Sequence, residues 1–495
     1  MFTDARCRIL LEPMHYREAL EFIYGFVNYE KIQPASYSSD TLNLDRMRTL
    51  LAALGNPEKR YKTVHVAGTK GKGSTSAMME SVLRHMGLKV GLYVSPHLST
   101  FRERMQVNRE LIPAERVGDL ADEIKAAVMH KVQVEETIGE GDAAEKRMVE
   151  REEYKIPGIT FFEVITAMAF LHFAREQVDW AVIEVGLGGR LDATNIITPE
   201  VSLITSLSLD HMHLLGNTLG EIAREKAGII KPGVPVVVES QTLEATQVIE
   251  KIASDIGAPF TQLGRHWRWT PGTNALNKQA FEVKQVSLIR SKNRPFVNDL
   301  EGWYEIQLMG KHQLDNATLV IAAIDVLRES LRASGVQEIS AKIVRDGLRQ
   351  TLWAGRFDIV RGDPPLVMDG AHNVDSVNKL LITLVELFPG KRWTFIFGTY
   401  KDKDADGMLK QLSGRATRFI FVQAEKNPRA LPVDELLALA QKRNLRATGL
   451  PNITDAIDAV ANLNEAVCIT GSLAVVGEAR IKWALKTGSH LPDTD

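Results

Sequence analysis

Residues 67–75 read Ala-Gly-Thr-Lys-Gly-Lys-Gly-Ser-Thr, between the apolar run Thr63-Val-His-Val66 and a helix-patterned segment over 76–86. The glycines Gly68, Gly71 and Gly73 let a backbone turn tightly enough for several N–H groups to converge on one anion. A helix opening beyond them adds orphan N–H donors and a partial positive charge. Lys72 brings a full charge for terminal phosphates, and Ser74 or Thr75 a hydroxyl for a magnesium ion, with Thr69 inside the same loop. The chemistry this order points to is the binding of a nucleoside triphosphate. The match to the strict phosphate-loop pattern is incomplete: Val66 stands where a glycine is expected, and Gly73 separates Lys72 from Ser74. The competing reading is a glycine-rich turn that binds nothing; three glycines around Lys72 and Ser74 weigh against it. A dinucleotide fold would need no lysine in such a loop.

Other polar groups follow apolar runs in the same way. Ser95-Pro-His-Leu98 comes after a strand pattern over 90–94. Glu184 sits at the carboxyl end of the run 180–185 and opens Gly186-Leu-Gly-Gly-Arg-Leu-Asp-Ala-Thr-Asn195, and Asp210-His211 follows the run 201–205. Open α/β sheets bind ligands at the carboxyl ends of their strands, so all three point to the edge that carries the glycine loop. A hydroxyl, a carboxylate and an imidazole can serve magnesium or its waters, the carboxylate being the natural hard ligand. Taken alone, Ser95 reads as a solvated serine and His211 as a structural histidine. Lys226, in Glu225-Lys-Ala-Gly228, reads as a helix-end lysine beside a glycine cap. Later in the chain, Met368-Asp-Gly-Ala-His-Asn373 puts Asp369 and His372 where a strand becomes a helix, with Asn373 as an N-cap. Arg356 precedes that strand, placed to reach a phosphate across a cleft, and Thr470-Gly-Ser472 ends another.

The elements that must position these groups alternate. Helix patterns lie over 16–24, 44–54, 161–175 and 221–227, and strands over 64–67, 90–94, 180–185, 201–205 and 234–239. That alternation predicts a parallel sheet covered on both faces. Over 267–309 the pattern turns to period two, predicting a small antiparallel subsheet, and helices are expected over 317–330 and 341–351. Residues 134–155 turn acidic and polar, with Gly139 and Gly141, and read as a surface insertion. Residues 354–365 carry two glycines and two prolines and read as a hinge. Beyond it a second α/β series has strands over 366–368, 394–397, 419–422 and 467–470 and helices over 375–388, 434–442 and 455–461. The fold class is therefore α/β, with an N-terminal domain (1–354), a hinge (355–365) and a C-terminal domain (366–495).

A chain of 495 residues, 25% charged and 44% hydrophobic, with a formal charge of −2, has no basic field for nucleic acid or an anionic membrane. Two cysteines, Cys7 and Cys468, far apart in sequence, argue against a disulfide framework and for a reducing compartment. The first sixteen residues have no apolar core of a signal peptide, and the apolar stretch 165–173 is too short to span a bilayer. A cytoplasmic protein, taken as a monomer, is the expectation.

Taken in order, the motifs beginning at Gly68, Ser95, Glu184, Asp210, Glu225, Arg356, Asp369 and Thr470 resemble the folylpolyglutamate synthases and dihydrofolate synthases of the Mur-ligase superfamily, over nearly the whole chain. The resemblance implies a P-loop-type ATP-binding domain with a mostly parallel sheet and a small β subsheet, followed by a Rossmann-like α/β domain. It implies an ATP-dependent amide ligase: ATP with magnesium phosphorylates a carboxylate of a folate or pteroate, and the amine of L-glutamate attacks the acyl phosphate. By the same resemblance Lys72 and Ser74 hold phosphates and magnesium. Ser95 and Glu184 match ligands of one magnesium and His211 a ligand of a second. Asn316 matches an adenine contact, and Arg356 and Asp369 match hinge and ribose-phosphate contacts. His372 and Ser472 match the glutamate site, and Phe162 with Asp192 and Ala193 the pterin side. Lys226 matches a lysine that similar enzymes carry carbamylated, able to bridge to metal; potassium is a further ion that some of them use. Two departures stand out. Lys70 occupies a loop position where asparagine is common, and Val107-Asn108-Arg109 lacks a usual glycine. A bifunctional enzyme, acting on both folates and dihydropteroate, is the preferred reading. The alternatives are another Mur-type amino-acid ligase and a nucleotide-gated ATPase that joins nothing.

Overall fold

The computed structural model describes residues 14–30, 42–138, 145–286, 299–425, 427–461 and 463–488. Cys7, Gly139 and Gly141 lie outside the described residues. In the N-terminal part, strands β1 (Lys62–Ala67), β2 (Val90–Tyr93), β3 (Met105–Val107) and β4 (Glu110–Leu111) precede a two-stranded ribbon, β5 (Met129–Ile138) and β6 (Glu145–Tyr154). Then come β7 (Trp180–Glu184), β8 (Val201–Ile204), β9 (Val236–Val238) and β10 (Phe260–Gln262). Eight of these form one sheet in the order β10-β9-β8-β1-β7-β2-β3-β4, parallel except at the β2–β3 and β3–β4 pairs. Because side chains alternate along a strand, β2 and β7 feed two cores, and β1 joins the first of them. Val64, Val66, Leu92 and Val182 enter one with helices Lys72–His85 and Lys311–Val326; Tyr93, Ala181 and Ile183 enter the other with Phe161–Arg175. The expected subsheet is β11 (Trp267–Ala275), β12 (Lys278–Gln285) and β13 (Gly302–Ile306), antiparallel throughout.

The second sheet holds β14 (Asp358–Gly362), β15 (Pro365–Met368), β16 (Trp393–Phe397), β17 (Ala416–Phe421), β18 (Ala447–Gly449) and β19 (Val467–Thr470), ordered β14-β15-β19-β16-β17-β18. All pairs are parallel except β14–β15. Alternation again divides the core: Val367, Phe395, Phe397 and Cys468 face one side, and Leu366, Ile396, Val467 and Ile469 the other.

Three expectations change. The helix after the glycine loop begins at Lys72 rather than at 76, because Gly71 takes φ 91° and is itself the N-cap. The first turn of helix is thus part of the loop, which polar small residues concealed from an apolar-period reading. The insertion over 134–155 is largely a β ribbon whose strands pair from Met129↔Tyr154 to Ile138↔Glu145. Its exposed polar faces are held by cross-strand pairs such as Lys131–Glu150 instead of a core. The hinge over 355–365 is in good part the edge strand β14, so the unpaired connection shortens to the residues before Asp358. Helices Ala114–Val128, Leu243–Asp255, Ala405–Ser413 and Leu473–Thr487 were not anticipated. No helix among the described residues is long and apolar enough to cross a membrane.

Candidate active site

A cleft of about 900 Å³ lies between the two α/β units, lined by the glycine loop and the carboxyl ends of strands from both sheets. The loop leaves β1 and is fixed from below. The N–H groups of Thr69 and Lys70 donate to the Ser206 carbonyl (3.0 and 3.3 Å), and Thr205 Oγ1 donates to the Lys70 carbonyl (2.7 Å). The N–H groups from Lys72 onward open a helix and have no intrahelical acceptor by position. A Cβ on Gly71 would lie 2.4 Å from Asn316 Oδ1, so glycine is required there for space as well as for φ. Asn316 is buried beneath the loop, accepting from Thr75 Oγ1 (3.1 Å) and donating to Gln313 Oε1 (2.9 Å). Thr75 is wholly buried, whereas Gly68, Thr69, Gly71, Lys72, Gly73 and Ser74 line the cleft.

Lys72 and Glu184 meet across the cleft floor, Nζ to Oε1 at 3.9 Å, and the other carboxylate oxygen accepts from the Ser95 N–H (3.2 Å). Burial raises the Glu184 pKa despite Lys72, this N–H and Arg356. A buried carboxylate so sparsely partnered is a fitting ligand for a hard cation. Among the described residues no group of three or more His, Cys, Asp and Glu side chains gathers as a metal cluster. A magnesium ion fits this donor set, one carboxylate with the hydroxyls of Ser74 and Ser95, when phosphate oxygens and waters complete its shell. Lys226 is 4% exposed, too buried for a solvated helix-end lysine, and donates to the Gly68 carbonyl (2.9 Å). Burial, then nearby Lys72, pushes its pKa down to about 7.

The second group surrounds Asp210. Its carboxylate accepts from Lys70 Nζ (2.8 Å), Lys403 Nζ (3.1 Å) and Asn373 Nδ2 (3.3 Å). Burial opposes its charge, but Lys70 and Lys403 outweigh burial and hold its pKa below the usual carboxylate range. Lys70 Nζ also lies 2.8 Å from His372 Nε2, and His372 Nδ1 lies 2.8 Å from the Gly370 carbonyl. Burial, then Lys70 and Lys403, drives the His372 pKa well down, so the ring is neutral. His211, in the left-handed region at φ 50°, points its ring to the cleft with a pKa lowered to about 4 by burial and then, against Asp210, by Lys403 and Lys70. Asp369 joins the linker to the second sheet, accepting from the N–H groups of Phe357 and Ala371 (both 2.9 Å). Burial raises its pKa to about 6 in spite of Arg356.

On the far side, Phe162 packs over Gly186, where a Cβ would lie 2.4 Å from its ring. The Asp192 carboxylate is spent on the N–H groups of Leu187 (2.9 Å) and Thr194 (3.0 Å), so it shapes the 186–195 loop, and Ala193 forms wall beside it. Ser472 departs from expectation. It is fully buried as the N-cap of helix Leu473–Thr487, accepting from the Val475 N–H (3.2 Å), and its neighbours Leu473 and Ala474 form the wall instead. Asn373 caps its helix as expected.

Sequence reasoning missed Lys403 and the group around Arg104. Lys403 stands six residues beyond β16, so the rule of strand carboxyl ends applies to it. Arg104, 1% exposed, donates both terminal nitrogens to Glu30 (2.8 and 2.6 Å) and Nε to His97 Nδ1 (2.8 Å). No local spacing signals that meeting.

Comparison with known proteins bears on both halves. Residues 143–324 match the family model of the Mur ligase middle domain, and residues 355–473 that of the Mur ligase, glutamate ligase domain. A dihydrofolate synthase/folylpolyglutamate synthase of Bacillus subtilis (strain 168) is 35% identical over 467 residues, covering 94% of this chain and 98% of its own. The crystal structure of a folylpolyglutamate synthase from Thermotoga maritima superposes with a TM-score of 0.73 at 31% identity, covering 96% of this chain and 97% of its own. The Mycobacterium tuberculosis folylpolyglutamate synthase, complexed with ADP and AMPPCP, gives 0.75 at 28% identity over 92% of this chain and 97% of its own. With the motifs in order and the match running through both sheets, the chain belongs to the folylpolyglutamate synthase/dihydrofolate synthase family of the Mur-ligase superfamily.

Proposed function

We propose that the protein is an ATP-dependent ligase that adds L-glutamate to folates and to dihydropteroate through an acyl phosphate. The observation that carries this reading is one cleft in which Lys72 and Glu184 of the first unit face Asp369 and His372 of the second. The names of the relatives support it: the Bacillus subtilis protein carries both activities in its name, and the Mycobacterium tuberculosis protein is complexed with nucleotides.

In this reading Lys72 and the N–H groups opening its helix hold the phosphates, and Asn316, Arg356 and Asp369 serve the nucleotide. A carboxylate oxygen of the pterin-bearing substrate displaces ADP from the terminal phosphorus. The glutamate nitrogen then attacks the acyl carbon, the C–O bond to phosphate breaks, and the amine's proton leaves. Little covalent help is required of the protein; fixed charge and position dominate phosphoryl transfer. Magnesium, if held by Ser74, Ser95 and Glu184, with His211 and a carbamylated Lys226 toward a second ion, would supply charge neutralisation on the phosphates. Phe162 and Ala193 receive the pterin side, and His372 the amino acid. Enclosure between two units keeps water from the acyl phosphate.

The test is ATP- and glutamate-dependent product formation on dihydropteroate and tetrahydrofolate in parallel, read by mass. A gain of one glutamate on both supports the bifunctional reading, and a gain on one names a monofunctional enzyme. ATP hydrolysis with no gain on either overturns the folate reading in favour of another Mur-type substrate.

A further inference from the structure

The loop carries two lysines, and they point to different chemistry. Lys72 faces Glu184 at 3.9 Å, on the phosphate side. Lys70 turns away toward the C-terminal unit, its ammonium bridging Asp210 Oδ2 of the first unit and His372 Nε2 of the second, both at 2.8 Å. The Gly370 carbonyl can only accept, so His372 Nδ1 carries the ring proton and Nε2 presents a lone pair. Lys70 occupies that lone pair and fixes the ring from one side while Gly370 fixes it from the other. The backbone of Lys70 is itself immobilised, through Ser206 on its N–H (3.3 Å) and Thr205 on its carbonyl (2.7 Å). The position of His372 is therefore referred directly to the phosphate loop.

Charge around this bridge is not balanced. Lys70 and Lys403 share Asp210, Lys403 also lies 3.7 Å from Asp402, and Asp402 pairs with Arg429 at 2.6 Å. Three cations thus meet two carboxylates, with His372 neutral. Lys70 and Lys403 are 15% and 10% exposed and both line the cleft, so the surplus positive charge is offered there in a poorly screened setting. An amino acid bearing two carboxylates is the ligand of complementary charge.

We infer that Lys70 is a positioning residue for the amino-acid side of the reaction: it holds His372 in place and, with Lys403, draws the carboxylates of the incoming amino acid, leaving the phosphates to Lys72. This rests on the reading that His372 faces the amino acid. The experiment is steady-state kinetics of Lys70→Met, Lys70→Arg, Lys403→Met and His372→Ala with saturating folate, varying L-glutamate and ATP in turn. Lys70→Met is expected to raise the glutamate KM about tenfold or more, the size expected for a lost hydrogen bond to a charged group, with the ATP KM within about twofold. Lys70→Arg should recover part of the loss, and Lys403→Met should repeat the glutamate-selective effect from the opposite wall even if Lys70→Met folds poorly. An ATP KM that rises as far as the glutamate KM in Lys70→Met would make Lys70 a phosphate ligand and overturn the inference. So would an unchanged glutamate KM in both methionine variants while His372→Ala still raises it. His372→Ala acting on ATP instead of glutamate would sink the underlying reading of the site.

Discussion

Lys226 offers the sharpest quantitative test of the site. Its amine is buried, bonded to the Gly68 carbonyl at 2.9 Å, with a pKa lowered to about 7 by burial and then by Lys72. Carbamylation needs the uncharged amine: nitrogen attacks carbon dioxide, an N–C bond forms, and a proton is released. At pH 7.5 a pKa of about 7 leaves about three quarters of the groups uncharged, against roughly one in a thousand for an ordinary lysine. The reactive fraction therefore rises by close to three orders of magnitude, the order of RT ln 700 or about 4 kcal/mol. The carbamate anion would lie among Lys72 and Lys70, whose charges already act on Lys226. Protein equilibrated with 13C-labelled carbon dioxide should show a carbamate carbon resonance that is absent in Lys226→Ala. The signal should fade as pH falls from 8 to 6, because protonation removes the nucleophile. A spectrum without that resonance at pH 8, or full ligase activity in Lys226→Ala, refutes the reasoning.

Lys72→Ala should abolish ATP turnover, since no other ammonium group of the loop faces Glu184; normal turnover in a hydrolysis assay would remove Lys72 from the phosphate site. Gly71→Ala places a Cβ 2.4 Å from Asn316 Oδ1 at φ 91°, and the backbone strain alone costs about 1–2 kcal/mol. The expected result is a lower melting temperature together with an ATP KM raised about tenfold, and a variant with both unchanged would count against the loop geometry. His65 lies wholly buried in β1, its Nε2 2.8 Å from Thr194 Oγ1, with a pKa lowered to about 3 by burial and then by Lys231. The folded state favours the neutral ring, so its contribution is complete above the unfolded value near 6.5 and is lost as pH falls toward 3, by about 2 kcal/mol at pH 5. Urea unfolding of wild type and His65→Gln should show a stability difference that shifts by that amount between pH 7.5 and 5, and a pH-independent difference would contradict it.

Sequence made the fold legible where local chemistry forces structure. Strands that are buried on both faces are mostly apolar runs, so β1, β7, β8 and β19 could be placed to within a residue or two. Glycines at the loop announce themselves because no other residue fits, and His372 and Asp369 follow from the strand they terminate. What stayed hidden depends on partners far away in the chain. Ser472 reads the same whether its hydroxyl faces a ligand or caps a helix, and only the helix Leu473–Thr487 decides for the cap. The loop pattern singles out Lys72 but gives Lys70 no role; that role rests on Asp210 and His372, while Lys72 faces Glu184.

Arg109 shows how such distant partners can reverse a local rule. The residue sits at φ 72°, a conformation that favours glycine, directly after Asn108 at φ 51°. Its side chain offsets that strain by three contacts. The guanidinium lies 5.2 Å from the ring centre of Trp353, donates to the Leu352 carbonyl at 2.7 Å, and comes within 3.9 Å of Glu80, a wholly buried carboxylate on the phosphate-loop helix. Trp353 in turn covers Gly73, where a Cβ would stand 3.2 Å from its Nε1. The segment linking the two α/β units is thus packed onto the first turn of the helix that would receive phosphate. A glycine at 109 would relax the backbone and release that packing, so the arginine makes sense only through Trp353 and Glu80. Gly73 likewise leaves room for the indole behind it and, in the proposed reading, for phosphate in front.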